Sequence, residues 1–382
     1  MKKIVLLISL FALLFATCGP GTVVTPDTEQ GIDLTSIAYT PKPFTLAVPP
    51  EFPPLDVPAG YQFDRNIVEL GRYLFYDRRL SRNNSLSCAT CHLQTHGFSD
   101  PSRQSTGVEG GKTARNSMAL QNLAFRQTEQ FWDGRVKTLE EQAALPVEDP
   151  IELHENWANV EQKLRKDTLY HRLFRQAFGI KLSTDITKDL ALRAIAMFER
   201  TIIVGPNSQY WKMYVTGTQV TNDDIEEGRK LFFNTEPDAD AQCFHCHDKP
   251  LFKGGFENNG LDAVASLNDF TDKGRGKVTG ELRDNGKFRA PTLWNIALTA
   301  PYMHDGRFAT LDEVIELYAD HINYADNIST FLRQVGNPQA GTSPPVIDPL
   351  DAQQKAQIKL FLLSLTDTIS LKNPAYQNPF AR

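Results

Sequence analysis

Three observations predict an all-α fold in two tandem domains with long irregular loops. Apolar residues recur at three and four spacing in seven stretches, while convincing strand patterns are scarce. Two Cys-x-x-Cys-His motifs, CATCH at 88–92 and CFHCH at 243–247, stand in the two halves of the chain. Similar segments flank each motif, so one half repeats the other.

The chain opens with Lys2 and Lys3 before an apolar run from Ile4 to Phe15, too short to span a bilayer comfortably. Residues 1–17 therefore read as a secretory signal. Phe15-Ala16-Thr17-Cys18 resembles a lipoprotein signal, although threonine is unusual before the cysteine. Cys18 is expected to carry acyl chains that hold the exported, periplasmic protein at a membrane surface, with plain cleavage and release as the alternative. Residues 18–58, rich in proline and threonine, read as an extended, surface-wrapping linker.

The helical stretches then follow as Glu69–Tyr76, Leu139–Leu145, Val160–Phe178, Ile186–Ile203, Ile225–Phe233, Leu311–Tyr318 and Gln354–Leu365. Thr184-Asp185, Thr221-Asn222 and Thr310 read as caps, whose side-chain oxygens take up backbone N–H groups at a helix start. The Gly/Asn/Asp-rich stretch 254–287 reads as ordered loop, because Phe256, Leu261, Leu267 and Phe270 interrupt it. Domain boundaries are expected at 59–212 and 213–370, with a tail at 371–382.

The motifs explain what each domain is built round. Two thiols one helical turn apart can each form a thioether to a haem vinyl group, while the adjacent histidine coordinates iron. Cys88, Cys91 and His92 are thus expected to hold one haem c, and Cys243, Cys246 and His247 a second. Zinc or a redox dithiol would use the cysteines but leave both histidines unexplained. Each half is then a cytochrome c-like domain. The repeat runs further: Gly71-Arg72 answers Gly228-Arg229, and Asn122 through Asp133-Gly134-Arg135 answers Asn295 through Asp305-Gly306-Arg307.

With 41% hydrophobic and 23% charged residues, the 382-residue chain is large enough for two such domains. Its net charge of −6 gives no basic excess for binding nucleic acid.

The segments FWDGRVKTLEEQA (131–143), PVEDPIEL (146–153) and FRAPTLWNIALTAPYMHDGRFATLDEVIELY (288–318) carry a more selective signal. With the two motifs, they resemble the bacterial di-haem cytochrome c peroxidase family, which also includes the protein-oxidising enzyme MauG. The resemblance implies that the haem on His92 binds hydrogen peroxide and that the haem on His247 receives electrons from a small donor, a cytochrome c or a copper protein. It places Glu152 and Gln142 in the peroxide pocket, as proton shuttle and orienting amide, with Pro146 shaping the approach. Trp132 stands between the haems as a relay and is a core aromatic as well. A calcium ion between the domains is implied, with the Asn116 side chain and the carbonyls of Thr299 and Pro301 as ligands. A homodimer is a further possibility.

Two departures matter. Many family members carry a histidine beyond the first motif that closes the haem; here the matching stretch is 106–110, and no histidine lies between His96 and His154. The first haem is therefore expected to be open without prior reduction. At Tyr318, many family peroxidases have methionine and MauG has tyrosine; a phenolate ligand would stabilise oxidised iron. Met303 and His321 are rival ligands, and a packed aromatic is the plain alternative for Tyr318. Three readings follow: a peroxidase, a MauG-like oxidant of protein side chains, and a non-catalytic electron carrier.

Overall fold

A computed structural model describes residues 30–125, 129–219, 222–233, 235, 241, 243–334 and 350–381. The signal at 1–17, Cys18 and Thr221 lie outside them. Among the described residues, no helix is long and apolar enough to cross a membrane.

The fold is mostly helical. In chain order come α1 (Arg65–Tyr76), α2 (Cys88–Cys91), α3 (Leu139–Glu148), α4 (Trp157–Arg165), α5 (Thr168–Phe178), α6 (Lys188–Glu199), α7 (Asp223–Phe233), α8 (Gly276–Thr279), α9 (Leu311–Asp320), α10 (Thr330–Gln334), α11 (Ala352–Ser364) and α12 (Thr368–Leu371). The one sheet among the described residues pairs β1 (Phe256–Glu257) with β2 (Phe288–Arg289), antiparallel.

The stretch expected as one helix over Val160–Phe178 is two. Asp167 breaks it by turning its carboxylate to accept from the Leu169 N–H, which caps α5, and by pairing with Arg79. The cap expected at Thr184-Asp185 also moves. Those residues form a short 3₁₀ turn, and Thr187 caps α6 by accepting from the Leu190 N–H. Thr310 caps α9 as expected, in a reciprocal box with Glu313.

The internal repeat has a packing cause. In each half, the helix preceding the cysteine motif crosses a later one, α1 over α6 and α7 over α11. Gly71 and Gly228 sit at the two crossings. A β-carbon at Gly71 would overlap the Ala194 carbonyl, and one at Gly228 would overlap the Gln357 carbonyl. Only a residue without a side chain lets these backbones approach so closely. At the next residue, Arg72 pairs back with Glu69 and Arg229 with Glu226, so the repeat extends to the ion pairs.

Among the described residues two large apolar clusters and a small third one, Leu267, Phe270 and Ala325, hold the fold. One, from Phe63 to Met197, belongs to the first half. The larger runs from Phe52 to Tyr376 and takes residues from both halves, so the core continues across their junction. Residues 30–58 wrap the body: the Leu34 N–H donates to the Lys181 carbonyl at 2.8 Å, and the Phe52 ring packs on Phe125, Trp211 and Trp294. The C-terminal tail folds back on the first half, where Tyr76 donates to the Tyr376 carbonyl at 2.6 Å.

Candidate functional site

The first cysteine motif opens onto a cavity of about 1230 Å³ lined by Cys88, Cys91 and His92. That exceeds the roughly 300–1,000 Å³ of an ordinary small-molecule pocket. Cys88 and Cys91 occupy the single turn of α2, and the His92 N–H closes it on the Cys88 carbonyl at 3.0 Å. His92 Nδ1 lies 2.9 Å from the Phe98 carbonyl oxygen, so it carries the proton and leaves Nε2 as the free donor atom. Burial holds this imidazole below its usual pKa, which keeps it neutral and fit to bind a metal.

Neither cysteine is in a disulfide. Burial raises both thiols, Cys91 to about 11, which disfavours the free thiolate that dithiol exchange requires. Thioether attachment needs no standing thiolate.

Elsewhere in the same wall, α3 contributes Gln142 and Pro146, and the turn after it contributes Glu152. Burial first, and Asp149 second, push the Glu152 carboxyl up to about 7, against the pull of Arg135. Ser105, Thr106 and Gly107 complete this part of the wall. The 106–108 segment lies directly on the Glu152 turn: the Val108 N–H donates to the Glu152 carbonyl at 2.8 Å, and a β-carbon at Gly107 would overlap the Ile151 carbonyl. Among the described residues His92 is the only histidine lining the cavity. His96 lies 3.0 Å from the Thr95 hydroxyl and His154 turns to Glu109, both away from it.

The second motif opens onto a narrower cavity of about 220 Å³. His247 Nδ1 lies 3.0 Å from the Pro291 carbonyl and 3.2 Å from that of Phe252, and burial again keeps the ring neutral. Tyr318, Met303 and Asn259 line this cavity together. The Asn259 amide donates to the Tyr318 hydroxyl at 3.1 Å and stands 3.6 Å from the Met303 sulfur. Burial raises the Tyr318 hydroxyl well above the ordinary phenol range, with Asn259 opposing. The rival His321 is exposed, faces the Glu316 carbonyl and does not line the cavity; His304 does, stacked on Phe288 at 3.6 Å.

Trp132 and Arg289 line both cavities. The Trp132 indole N–H donates to the Asn116 carbonyl at 2.9 Å, and the Trp132 carbonyl accepts from the Arg289 N–H at 2.9 Å. Asn116, Thr299 and Pro301 all line the second cavity. The Asn116 amide N–H donates to the Ser102 carbonyl at 3.0 Å, so its side-chain oxygen is the atom that could face a cation.

Haem carries two propionates, and the cavity walls hold matching cations. Arg289 Nε is buried without a hydrogen-bond partner among the described residues. Lys253, in the first cavity, is pushed down to about 8 by burial, with Arg289 adding repulsion. A carboxylate here would relieve both, so the residues present fit the group the motifs imply. Sequence reasoning missed Lys253, Arg289, Asn259 and His304; their loops carry no local pattern, and only the fold brings them to the cavities.

Residues 65–219 match the family described as di-haem cytochrome c peroxidase. The chain is 32% identical over 292 residues to cytochrome c551 peroxidase of Nitrosomonas europaea, covering 74% of this chain and 84% of the relative. It is 32% identical over 264 residues to the methylamine utilization protein MauG of Methylophilus methylotrophus, covering 68% and 74%. Among solved structures, a MauG-like protein associated with microbial copper homeostasis superposes with a TM-score of 0.77 at 32% identity, over 88% of this chain and 100% of that one. With its two cavities and their cysteine motifs, the chain belongs to the di-haem cytochrome c peroxidase family.

Proposed function

We propose that the chain is a periplasmic oxidoreductase that reduces hydrogen peroxide to water with electrons from a small redox protein, a cytochrome c or a copper protein. Cys88, Cys91 and His92 would hold one haem c in a first domain over 59–212, and Cys243, Cys246 and His247 a second in a domain over 213–370. The first haem supplies an iron at which peroxide binds and is reduced; the second supplies a store for an electron.

The observation that carries this reading is the contrast between the two cavities. The first has one histidine, a carboxyl raised to about 7 and an amide; the second holds a tyrosine and a methionine fixed on one asparagine. Glu152 is then poised to take a proton from one peroxide oxygen and return it to the other, since a base with a pKa near the working pH serves both transfers. Gln142 orients the peroxide. Trp132, whose easily oxidised indole borders both cavities, relays charge. Tyr318 would ligate the second iron.

A calcium ion held by Asn116, Thr299 and Pro301 would fix the loops joining the cavities; oxygen donors suit that cation. Anchoring through Cys18 would keep the enzyme at a membrane surface, and a homodimer is compatible with this reading.

The test is ferric EPR of the haem-loaded protein with peroxide turnover measured before and after partial reduction. One high-spin and one low-spin haem with immediate donor-dependent turnover is the expected result. Two low-spin haems inert in both states would leave only the electron carrier. Tyr318 and the MauG relatives favour a second reading, a MauG-like oxidant of protein side chains. Peroxide consumption that requires a target protein, and not a small donor, would decide for it.

A further inference from the structure

Glu199 closes α6 with its side chain almost wholly buried, at 3% exposure. Among the described residues its Oε2 has no hydrogen-bond partner, and the residue lines the first cavity with Cys88 and Glu152. The neighbouring Arg200 does not neutralise it, because that guanidinium is committed to Glu140, Nη1 to Oε1 at 2.8 Å and Nη2 to Oε2 at 3.3 Å. An unpaired buried carboxyl is costly, and a packing role would be filled as well by an apolar side chain. The sequence and resemblance assign it nothing.

We propose that Glu199 is the proton-supplying residue of the first cavity, giving to the reacting oxygens the protons that peroxide reduction consumes. The proposal rests on the peroxidase reading. In H2O2 + 2 H+ + 2 e− → 2 H2O, the O–O bond breaks, the donor protein is oxidised by two electrons, and two O–H bonds form with protons from outside the substrate. Glu152 moves a proton from one peroxide oxygen to the other and supplies none. The two protons that enter with the electrons come from solvent, and a second acid lining the cavity can carry them. Glu199 loses its proton into the cavity and regains one from solvent.

The groups that face Glu199 are Arg200 on its own helix, Glu140 on α3 and Cys88 on α2. Burial dominates, Arg200 opposes it and Glu140 adds to it, so the carboxyl is pushed up to about 8 and stays protonated at neutral pH.

The test is Glu199→Gln in the haem-loaded full chain, which keeps the shape and removes the exchangeable acid. Reaction with peroxide in the absence of donor should keep its wild-type rate. Steady-state kcat with excess reduced cytochrome c should fall at least about tenfold, toward the 10²–10⁴-fold range of lost acid–base groups. The solvent deuterium isotope effect on kcat should rise, and the decline of kcat above about pH 8 should vanish. Glu199→Asp, which retains an acid, should recover part of kcat and keep that decline, and it stands in if the glutamine variant does not fold. Unchanged kcat, isotope effect and pH profile in both variants overturn the proposal, as does a slowed peroxide step with normal donor oxidation. Wild-type protein that never turns over peroxide with a donor overturns the peroxidase reading, and this proposal with it.

Discussion

Asn259 donates its amide to the Tyr318 hydroxyl at 3.1 Å while lying 3.6 Å from the sulfur of Met303. One side chain thus fixes both candidate ligands of the second cavity, and the hydrogen bond favours an oxygen that carries negative charge. Tyr318→Phe should remove the phenolate signature from the ferric spectrum of the second haem and raise its reduction potential. Asn259→Ala should shift both in the same direction by less. Potentiometric titration of the two variants checks this; spectra and potentials identical to wild type would show that Tyr318 is only a packed aromatic.

At the helix crossings, Gly71→Ala and Gly228→Ala each force a methyl group into a backbone carbonyl. Overpacking of that kind costs about 1–3 kcal/mol. Chemical unfolding should show each variant less stable by that amount, and an unaltered midpoint would mean that the crossing yields freely.

Those glycines mark how far the sequence could be read. The repeat Gly71-Arg72 and Gly228-Arg229 was visible because a helix crossing repeated in each half needs the same small residue twice. The cysteine motifs were visible because covalent attachment fixes their spacing. Helix ends were less legible: Thr184-Asp185 carries the residue types of a cap, but the Asp185 carboxylate accepts from the Lys181 and Leu182 N–H groups of its own turn, and Thr187 caps α6 on the Leu190 N–H. Asn259, Lys253, Arg289 and Glu199 were not legible as site residues. Each reaches its cavity through tertiary placement, and an Arg289 Nε buried without a partner among the described residues has no counterpart in a sequence pattern.

Trp132 borders both cavities and donates to the Asn116 carbonyl at 2.9 Å. Trp132→Phe keeps an aromatic ring but removes both the donor and the easily oxidised indole. Loss of the hydrogen bond should cost about 1 kcal/mol of stability. Electron transfer between the haems, followed by rapid mixing of half-reduced enzyme with peroxide, should slow much more than that cost explains. A wild-type transfer rate would remove the relay role.

Glu152 makes a separate kinetic prediction. As a base it acts only when ionised, so kcat/KM for peroxide should fall as pH drops through about 7, the value to which burial raises it. Glu152→Gln should slow peroxide cleavage about 10²–10⁴-fold and abolish that limb of the profile, with little change in the haem spectra. Stopped-flow measurement across the pH range checks both effects.

The raised carboxyls also set how stability changes with pH. Glu199 is pushed up to about 8 from an ordinary 4.5, so between these values the folded chain keeps a proton that the unfolded chain has released. Stability from this group is complete below about 4.5 and is lost as pH rises through 8. The buried histidines act in the opposite sense: His92 and His247 are held below 6.5, so protonation of the unfolded chain draws it away from the fold as pH falls. Total stability therefore mixes both trends, and the difference between variants separates them. Glu199→Gln removes only the carboxyl contribution, so its stability relative to wild type should increase steadily from pH 5 to 8.5. Urea unfolding at the two ends of that range measures it. A constant difference would mean that Glu199 is already ionised in the folded protein, which is incompatible with its carrying a proton into the cavity.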